Sequence, residues 1–258
     1  MRHWVKRLFA IAAPLLLTAC LWGPGKFTSD LTLKKDGSFV LDYRGEIVLQ
    51  IPEDQATQPW SDAKAKCSDG TKARACTAAE IADQKTAYEK KRKDSEEMAR
   101  AFGLPGLDDA SNRAFAAKLT KYAGWRSVTY RGNGVFDVDY HMVGSAKQDF
   151  IFPALPDNDL LLPFIAVRRR ADGSVLVNAP ALTGGAGPLM ERMAAAGAPG
   201  DSKTNMVSRA QGRFTVVTDG EILTNNSEDG PAAHPIGHQV HWDVDSTSKK
   251  IPETLIRL

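Results

Sequence analysis

The chain has 258 residues, 43% of them apolar and 25% charged, the balance of an ordinary globular protein large enough to bury a core. The net charge is +2, but three of the 33 basic residues (Arg2, Lys6 and Arg7) lie in a segment expected to be removed, which leaves 30 against 31 acidic ones, a net of −1. A near-neutral domain removes the electrostatic case for nucleic acid as a partner and for strong attraction to anionic lipid.

The first seven residues, MRHWVKR, are positive, and residues 8–19, LFAIAAPLLLTA, are apolar and uncharged. Such a run is too short to cross a membrane and has the length of a signal-peptide core, so residues 1–19 are read as a signal peptide. Leu17-Thr18-Ala19-Cys20 follows and resembles the lipobox of bacterial lipoproteins. That resemblance implies that Cys20 receives diacylglycerol through its thiolate and becomes the new, acylated, palmitate-bearing terminus. A secreted protein with a chance cysteine at the cut is the alternative. Leu21, where an Asp would retain the protein at the inner membrane, implies an outer-membrane location facing the periplasm. Residues 20–26 are read as a lipidated tether, of which residues 21–26 span at most about 20 Å.

The mature chain then predicts a hairpin. Phe27–Lys35 alternates, Asp36-Gly37 turns, and Ser38–Leu49 alternates again. Cys67 and Cys76 are an even pair in an oxidising compartment and read as a disulfide across a polar, flexible loop. A redox or metal pair is the alternative, but the CxxC spacing and a nearby His are both missing. Thr77-Ala-Ala-Glu80 is a capping box that opens a helix. Glu89/Lys93 and Glu96/Arg100 are i,i+4 pairs along it, Ile81, Tyr88, Met98 and Phe102 form a thin apolar stripe, and Gly103 and Pro105 stop it. A second helix starts around Asp108–Ser111, buries Phe115, Leu119 and Tyr122, and ends at Gly124.

From Trp125 the pattern is mostly strand. Asn133-Gly134 is a turn, Phe136, Val138, Tyr140 and Met142 share one face, and Phe150–Phe152 is a short strand. Pro163–Val167 and Ser174–Asn178 form a hairpin around Asp172-Gly173. Phe214–Val217, His238–Val244 and Leu255–Leu258 complete the strands. Residues 183–205, rich in Gly, Ala and Pro, read as a long flexible loop. The sum is an α+β fold, a mostly antiparallel β-sheet with an inserted pair of helices at about 77–124, in a single domain over 27–258.

Asp30-Leu-Thr-Leu-Lys-Lys-Asp-Gly-Ser-Phe, close behind the lipidated cysteine, and Phe214–Ile222, Asn225-Asn226 and Gly237-His-Gln-Val-His-Trp242 near the end resemble the LppM-type envelope lipoprotein domain known from mycobacteria. The resemblance covers about a quarter of the chain and rests on turn chemistry. It implies an α+β domain associated with lipid or lipoglycan at the cell envelope. The chain departs from the pattern in its helical insertion, so no binding residue is carried over.

Two constellations are candidate sites. Asp137, Asp139 and His141 alternate along one strand, and His241, Asp243 and Asp245 along another. Were those strands neighbours, four carboxylates and two imidazoles would meet around a metal ion; the alternative is that both rows face water. Phe136, Tyr140, Phe150 and Trp242 are the candidate lining of an apolar ligand pocket. His234, His238 and His241 read as loop histidines rather than ligands. Gly184-Gly185-Ala-Gly187 lacks the Lys-Ser/Thr of a phosphate loop. Arg168-Arg169-Arg170 reads as a solvated hairpin end, with a phospholipid headgroup as the alternative contact. No G-x-S-x-G occurs in the sequence.

Three functions are therefore weighed. The first is a non-enzymatic module binding lipid or another amphiphile, membrane-attached through its lipid and needing no cofactor. The second is an assembly or scaffold lipoprotein binding an envelope protein through residues 77–124 or 183–205. The third is a metal-dependent hydrolase using the Asp/His rows.

Overall fold

The structure, a computed structural model, describes residues 22–49, 60–101, 108–154, 163–183 and 209–258. The signal peptide, Cys20 and all of the predicted 183–205 loop except Thr183 lie outside the described residues, as do Phe102, Gly103 and Pro105. The chain divides into two compact units, residues 51–115 and the remainder. Among the described residues it is mostly β-sheet with two α-helices, and the smaller unit begins and ends earlier than the predicted 77–124 insertion.

The larger unit holds a seven-stranded and a five-stranded sheet. The first carries β1 (Trp22–Leu33), β2 (Ser38–Leu49), β5 (Trp125–Gly132), β6 (Val135–Ser145), β10 (Gln211–Thr218), β12 (Ala232–His234) and β13 (Gly237–Val244), in the order β12-β13-β10-β1-β2-β6-β5. The second carries β7 (Phe150–Phe152), β8 (Ile165–Arg169), β9 (Val175–Asn178), β11 (Glu221–Asn225) and β14 (Glu253–Arg257), in the order β11-β14-β9-β8-β7. Among the described pairings, β1 with β10 is parallel and the others are antiparallel.

β1 begins at Trp22, five residues before the expected start, because Trp22, Gly23 and Pro24 pair with Leu49, Val48 and Ile47. A bulge between Pro24 and Phe27 breaks the register. An extra residue at a bulge shifts the inward face by one, so the alternation read from Phe27 onward does not extend back through it. Residues 22–26, expected to lie in the tether, are therefore part of the sheet.

Cross-strand register builds the core. Trp242, Phe214, Ser29, Tyr43, Tyr140 and Trp125 stand side by side across six strands of the larger sheet, and all are buried. Ser29 is tolerated there because its hydroxyl donates to the Asp42 carbonyl at 2.9 Å. The phenol of Tyr43 donates to the Glu46 carbonyl at 2.8 Å, and burial raises its pKa well above the usual tyrosine value. Aromatic contacts tie the two sheets together. The Phe152 ring lies 4.5 Å from Tyr140 and 4.9 Å from Tyr43, and Phe150 lies 4.9 Å from Phe39. These are separations at which ring pairs add to plain area burial.

Helix α2 (Asp109–Leu119) spans the boundary between the units. Asp108 caps it by accepting from the Ser111 N–H and hydroxyl at 2.8 and 2.6 Å. Phe115 and Leu119 are buried, but Tyr122 is 44% exposed. The helix stops at Leu119 and the chain tightens into i→i+3 bonds there, so Tyr122 no longer keeps the helical phase. Gly124 follows at φ +89°, where a Cβ would sit 2.5 Å from the Tyr140 ring.

The smaller unit holds a 3₁₀ turn (Asp62–Lys64), a short hairpin of β3 (Cys67–Asp69) and β4 (Lys72–Arg74), and the helix α1 (Ala78–Ala101). The loop between the cysteines is therefore a paired hairpin turning at Gly70 (φ +61°), not a flexible loop. Cys67 and Cys76 are disulfide-bonded across it.

Candidate functional site

The two Asp/His rows do not meet. They lie on β6 and β13, and β2, β1 and β10 separate those strands. Four inter-strand steps of ~4.8 Å put them about 19 Å apart. The side chains of each row instead find partners of their own where they stand. Asp137 accepts from Arg131 at 2.5 Å, Asp139 lies 3.6 Å from Arg44, and His141 contacts Asp42 at 2.8 Å. On β13, His241 lies 3.2 Å from Asp229 and Asp243 accepts twice from Arg213 at 2.7 and 2.8 Å. The Arg213 hydrogen bonds hold the Asp243 carboxyl below its usual range. Asp245 closes a turn by accepting from the Thr247 N–H and hydroxyl, both at 2.7 Å. No group of three metal-ligating side chains forms among the described residues. The six-residue metal centre expected from the sequence is thus not assembled. Asp42, Arg44, Arg131, Arg213 and Asp229 are the partners that periodicity on two strands alone did not reveal.

The remaining histidines are also apart from such chemistry. His234 and His238 flank the turn between β12 and β13, and His234 Nδ1 accepts from the Ile236 N–H at 3.2 Å.

Phe136, Tyr140, Phe150 and Trp242 do not line a common pocket. Phe136 packs between Trp22 and Tyr130 at 5.3 and 5.0 Å, Tyr140 between Trp125 and Phe152, and Phe150 against Phe39. Trp242 stacks on Phe214 at 5.6 Å, and its indole N–H donates to Asn226 Oδ1 at 2.9 Å. Asn226 also accepts from the Glu253 N–H at 3.0 Å and donates to the Ile251 carbonyl at 2.7 Å. The Asn226 and Trp242 singled out in the sequence therefore meet, as a structural clamp on the approach to β14. Burial pushes the Tyr140 phenol up to about 12. Phe136, Tyr140 and Trp242 are buried packing between or beside the two sheets, and Phe150 is half-buried at the edge of the second.

The smaller unit is built differently. Thr77 and Glu80 form the predicted capping box: the Thr77 hydroxyl accepts from the Glu80 N–H, and the Glu80 carboxylate accepts from the Thr77 N–H at 2.8 Å. Arg74 adds a fork on the same carboxylate at 2.8 and 2.5 Å and reaches Asp69 at 2.9 Å. These bonds, Arg74 first, lower the Glu80 carboxyl to about 2. The Gln84 amide bridges the backbone of Lys66, accepting from its N–H at 3.1 Å and donating to its carbonyl at 3.2 Å. Tyr88 meets the Trp60 ring edge-on at 5.3 Å. Disulfide, fork and amide bridge thus brace the first two turns of α1 against the hairpin and the residue before it.

Beyond that brace the helix is polar. Ile81, Gln84 and Tyr88 are half-buried, and no described side chain of α1 is fully buried. Glu96 pairs back to Arg92 at 3.7 Å; the side chain of Arg100, its expected partner, lies outside the described residues, and Glu89 and Lys93, also expected to pair, make no ion pair among the described residues. A hollow of about 550 Å³ lies between the 3₁₀ turn and the helix, lined by Trp60, Asp62, Lys85, Tyr88, Glu89 and Arg92, with Ser61 and Ala63 completing it.

No protein-family model matches the chain, and a search of curated proteins finds no match. No described helix is long and apolar enough to cross a membrane.

Proposed function

We propose that this protein is a lipid-anchored envelope scaffold of bacteria, held to the outer membrane through Cys20, which engages a protein partner with its disulfide-braced helix. The role is non-enzymatic. One observation carries the reading: α1 extends over 24 residues and buries no described side chain completely. A helix of that length with a thin apolar stripe gains little from its own unit, since helical stability in proteins comes mostly from packing an apolar face. Three devices at its N-terminal end hold it in place, as a presented recognition element requires. The alternative of an interior site for an amphiphile draws no support from Phe136, Tyr140, Phe150 and Trp242, which pack against their neighbours. The LppM-type resemblance supports an envelope role and leaves the partner open.

The test is site-specific photo-crosslinking in intact cells, with the reactive residue at Ala87 or Lys90 on exposed positions of α1 and at Thr129 on β5 as a control. A discrete protein adduct from the helix positions, absent from Thr129, is the expected result. Native mass spectrometry showing stoichiometric lipid on the purified protein, with no adduct from α1, would overturn the scaffold reading in favour of an amphiphile carrier.

A further inference from the structure

Two turns of one design meet at one end of the two-sheet unit. Lys34–Ser38 joins β1 to β2, and Arg170–Ser174 joins β8 to β9. Asp36 accepts from the Ser38 N–H and hydroxyl at 2.8 and 2.6 Å, and Asp172 from the Ser174 N–H and hydroxyl at 3.0 and 2.6 Å. Gly37 and Gly173 stand at φ +85° and +84°. Their N–H groups donate to the Lys34 and Arg170 carbonyls at 2.9 and 3.0 Å. Between the turns lies a hollow of about 310 Å³ lined by Lys35, Asp36, Arg169, Asp172 and Arg257, with the two turn glycines and Leu258 completing it.

The charges at this end divide into two kinds. The carboxylates, though exposed, accept hydrogen bonds from the protein itself: Asp36 and Asp172 from the serines, Asp219 from the Lys35 N–H at 2.6 Å, Asp149 from the Arg169 N–H at 3.3 Å, and Glu221 from Arg257 at 2.7 Å. The side chains of Lys35 and Arg169, by contrast, pair with no carboxylate among the described residues. Arg257 gives Glu221 only one of its guanidinium nitrogens.

We propose that this hollow is an anion site that takes a phosphate group between Lys35, Arg169 and Arg257. A guanidinium fork matches two phosphate oxygens and an ammonium supplies a compact third charge. The cations come from β8, β14 and the turn after β1, so an oxyanion placed there is met from three sides. Asp36 and Asp172 each have one oxygen committed to a serine, which fixes the turns and aims the basic residues. The phosphate belongs either to a soluble compound or to a phospholipid headgroup. The site lies roughly 35 Å along β1 from Trp22, at ~3.3 Å per residue. With Cys20 acylated, as proposed above, the site is remote from that anchor, but the phosphate site itself does not depend on the anchor.

Amide NMR on the full chain in neutral detergent tests it. Inorganic phosphate is titrated in one arm, and short-chain dihexanoyl phosphatidylglycerol against dihexanoyl phosphatidylcholine in the other. The Gly37 and Gly173 resonances are expected to move together and saturate. Lys35→Ala and Arg169→Ala, one on each side of the hollow, are each expected to weaken binding by roughly tenfold or more. Lys147→Ala, which removes the same charge outside the lining, is expected to change nothing. Response to phosphatidylglycerol alone assigns a lipid headgroup, and response to inorganic phosphate assigns a soluble compound. No saturable movement in either arm, or movement that persists in both folded variants, would overturn the proposal.

Discussion

Phe152 shows how much rests on single side chains in the larger unit. It is fully buried and touches Tyr43, Tyr140, Trp125 and Phe164, so it joins the short edge strand of one sheet to the centre of the other. Phe152→Ala would delete that bridge and leave a cavity, at a cost of about 3–5 kcal/mol, read as a lowered urea midpoint with an unchanged slope. Residue-level burial was legible where it obeys one period. Phe136, Val138 and Tyr140 point inward as alternation on a single strand requires. What those residues do once inside was not legible, because alternation carries no information about the opposing sheet. A pocket lining and a packed core look alike until Phe152 and Phe39 are seen to fill the space.

Among the elements, α1 is the one whose local chemistry was plainest in the sequence. Thr77 and Glu80 cap it as the capping-box spacing predicts. Arg74, which makes the cap a network, lies before the helix and is brought to Glu80 only by the β3–β4 hairpin. That hairpin escaped notice because its strands are three residues each and all but Cys67 are exposed, so no alternation marks it. The network has a pH signature. The Glu80 carboxyl is depressed from its ordinary 4.5 to about 2. Its contribution is therefore fully present above pH 4.5 and is lost as pH falls through about 2. Amide protection at residues 78–81, measured relative to the intrinsic exchange rate at each pH, should fall over that window while the larger unit stays protected. Arg74→Ala should raise the onset toward the ordinary glutamate range; an unmoved onset would show that Arg74 does not hold the cap.

For the whole molecule, sequence reading supplied the coarse class, strands with two helices between them, but not the strand order. The parallel pairing of β1 with β10 joins segments from opposite ends of the chain, and no local pattern encodes it. The same non-local choice places β10, β1 and β2 between the Asp/His rows and dissolves the metal centre that two isolated strands suggested. It also brings the Lys34–Ser38 and Arg170–Ser174 turns to one hollow, although each looks in sequence like an ordinary solvated turn. On the reading proposed above, the protein's chemistry faces outward, on a braced helix and on a basic end, while the aromatics between its two sheets, Tyr43, Tyr140 and Phe152 among them, stay inside. That outward arrangement has a function at the envelope only if the chain is fastened there. The most direct measurement is incorporation of labelled palmitate in cells producing the wild-type chain or Cys20→Ser, followed by membrane fractionation at high salt. The account predicts a labelled, membrane-retained wild type and an unlabelled variant. A wild-type chain without label, or equal label in both, would contradict it.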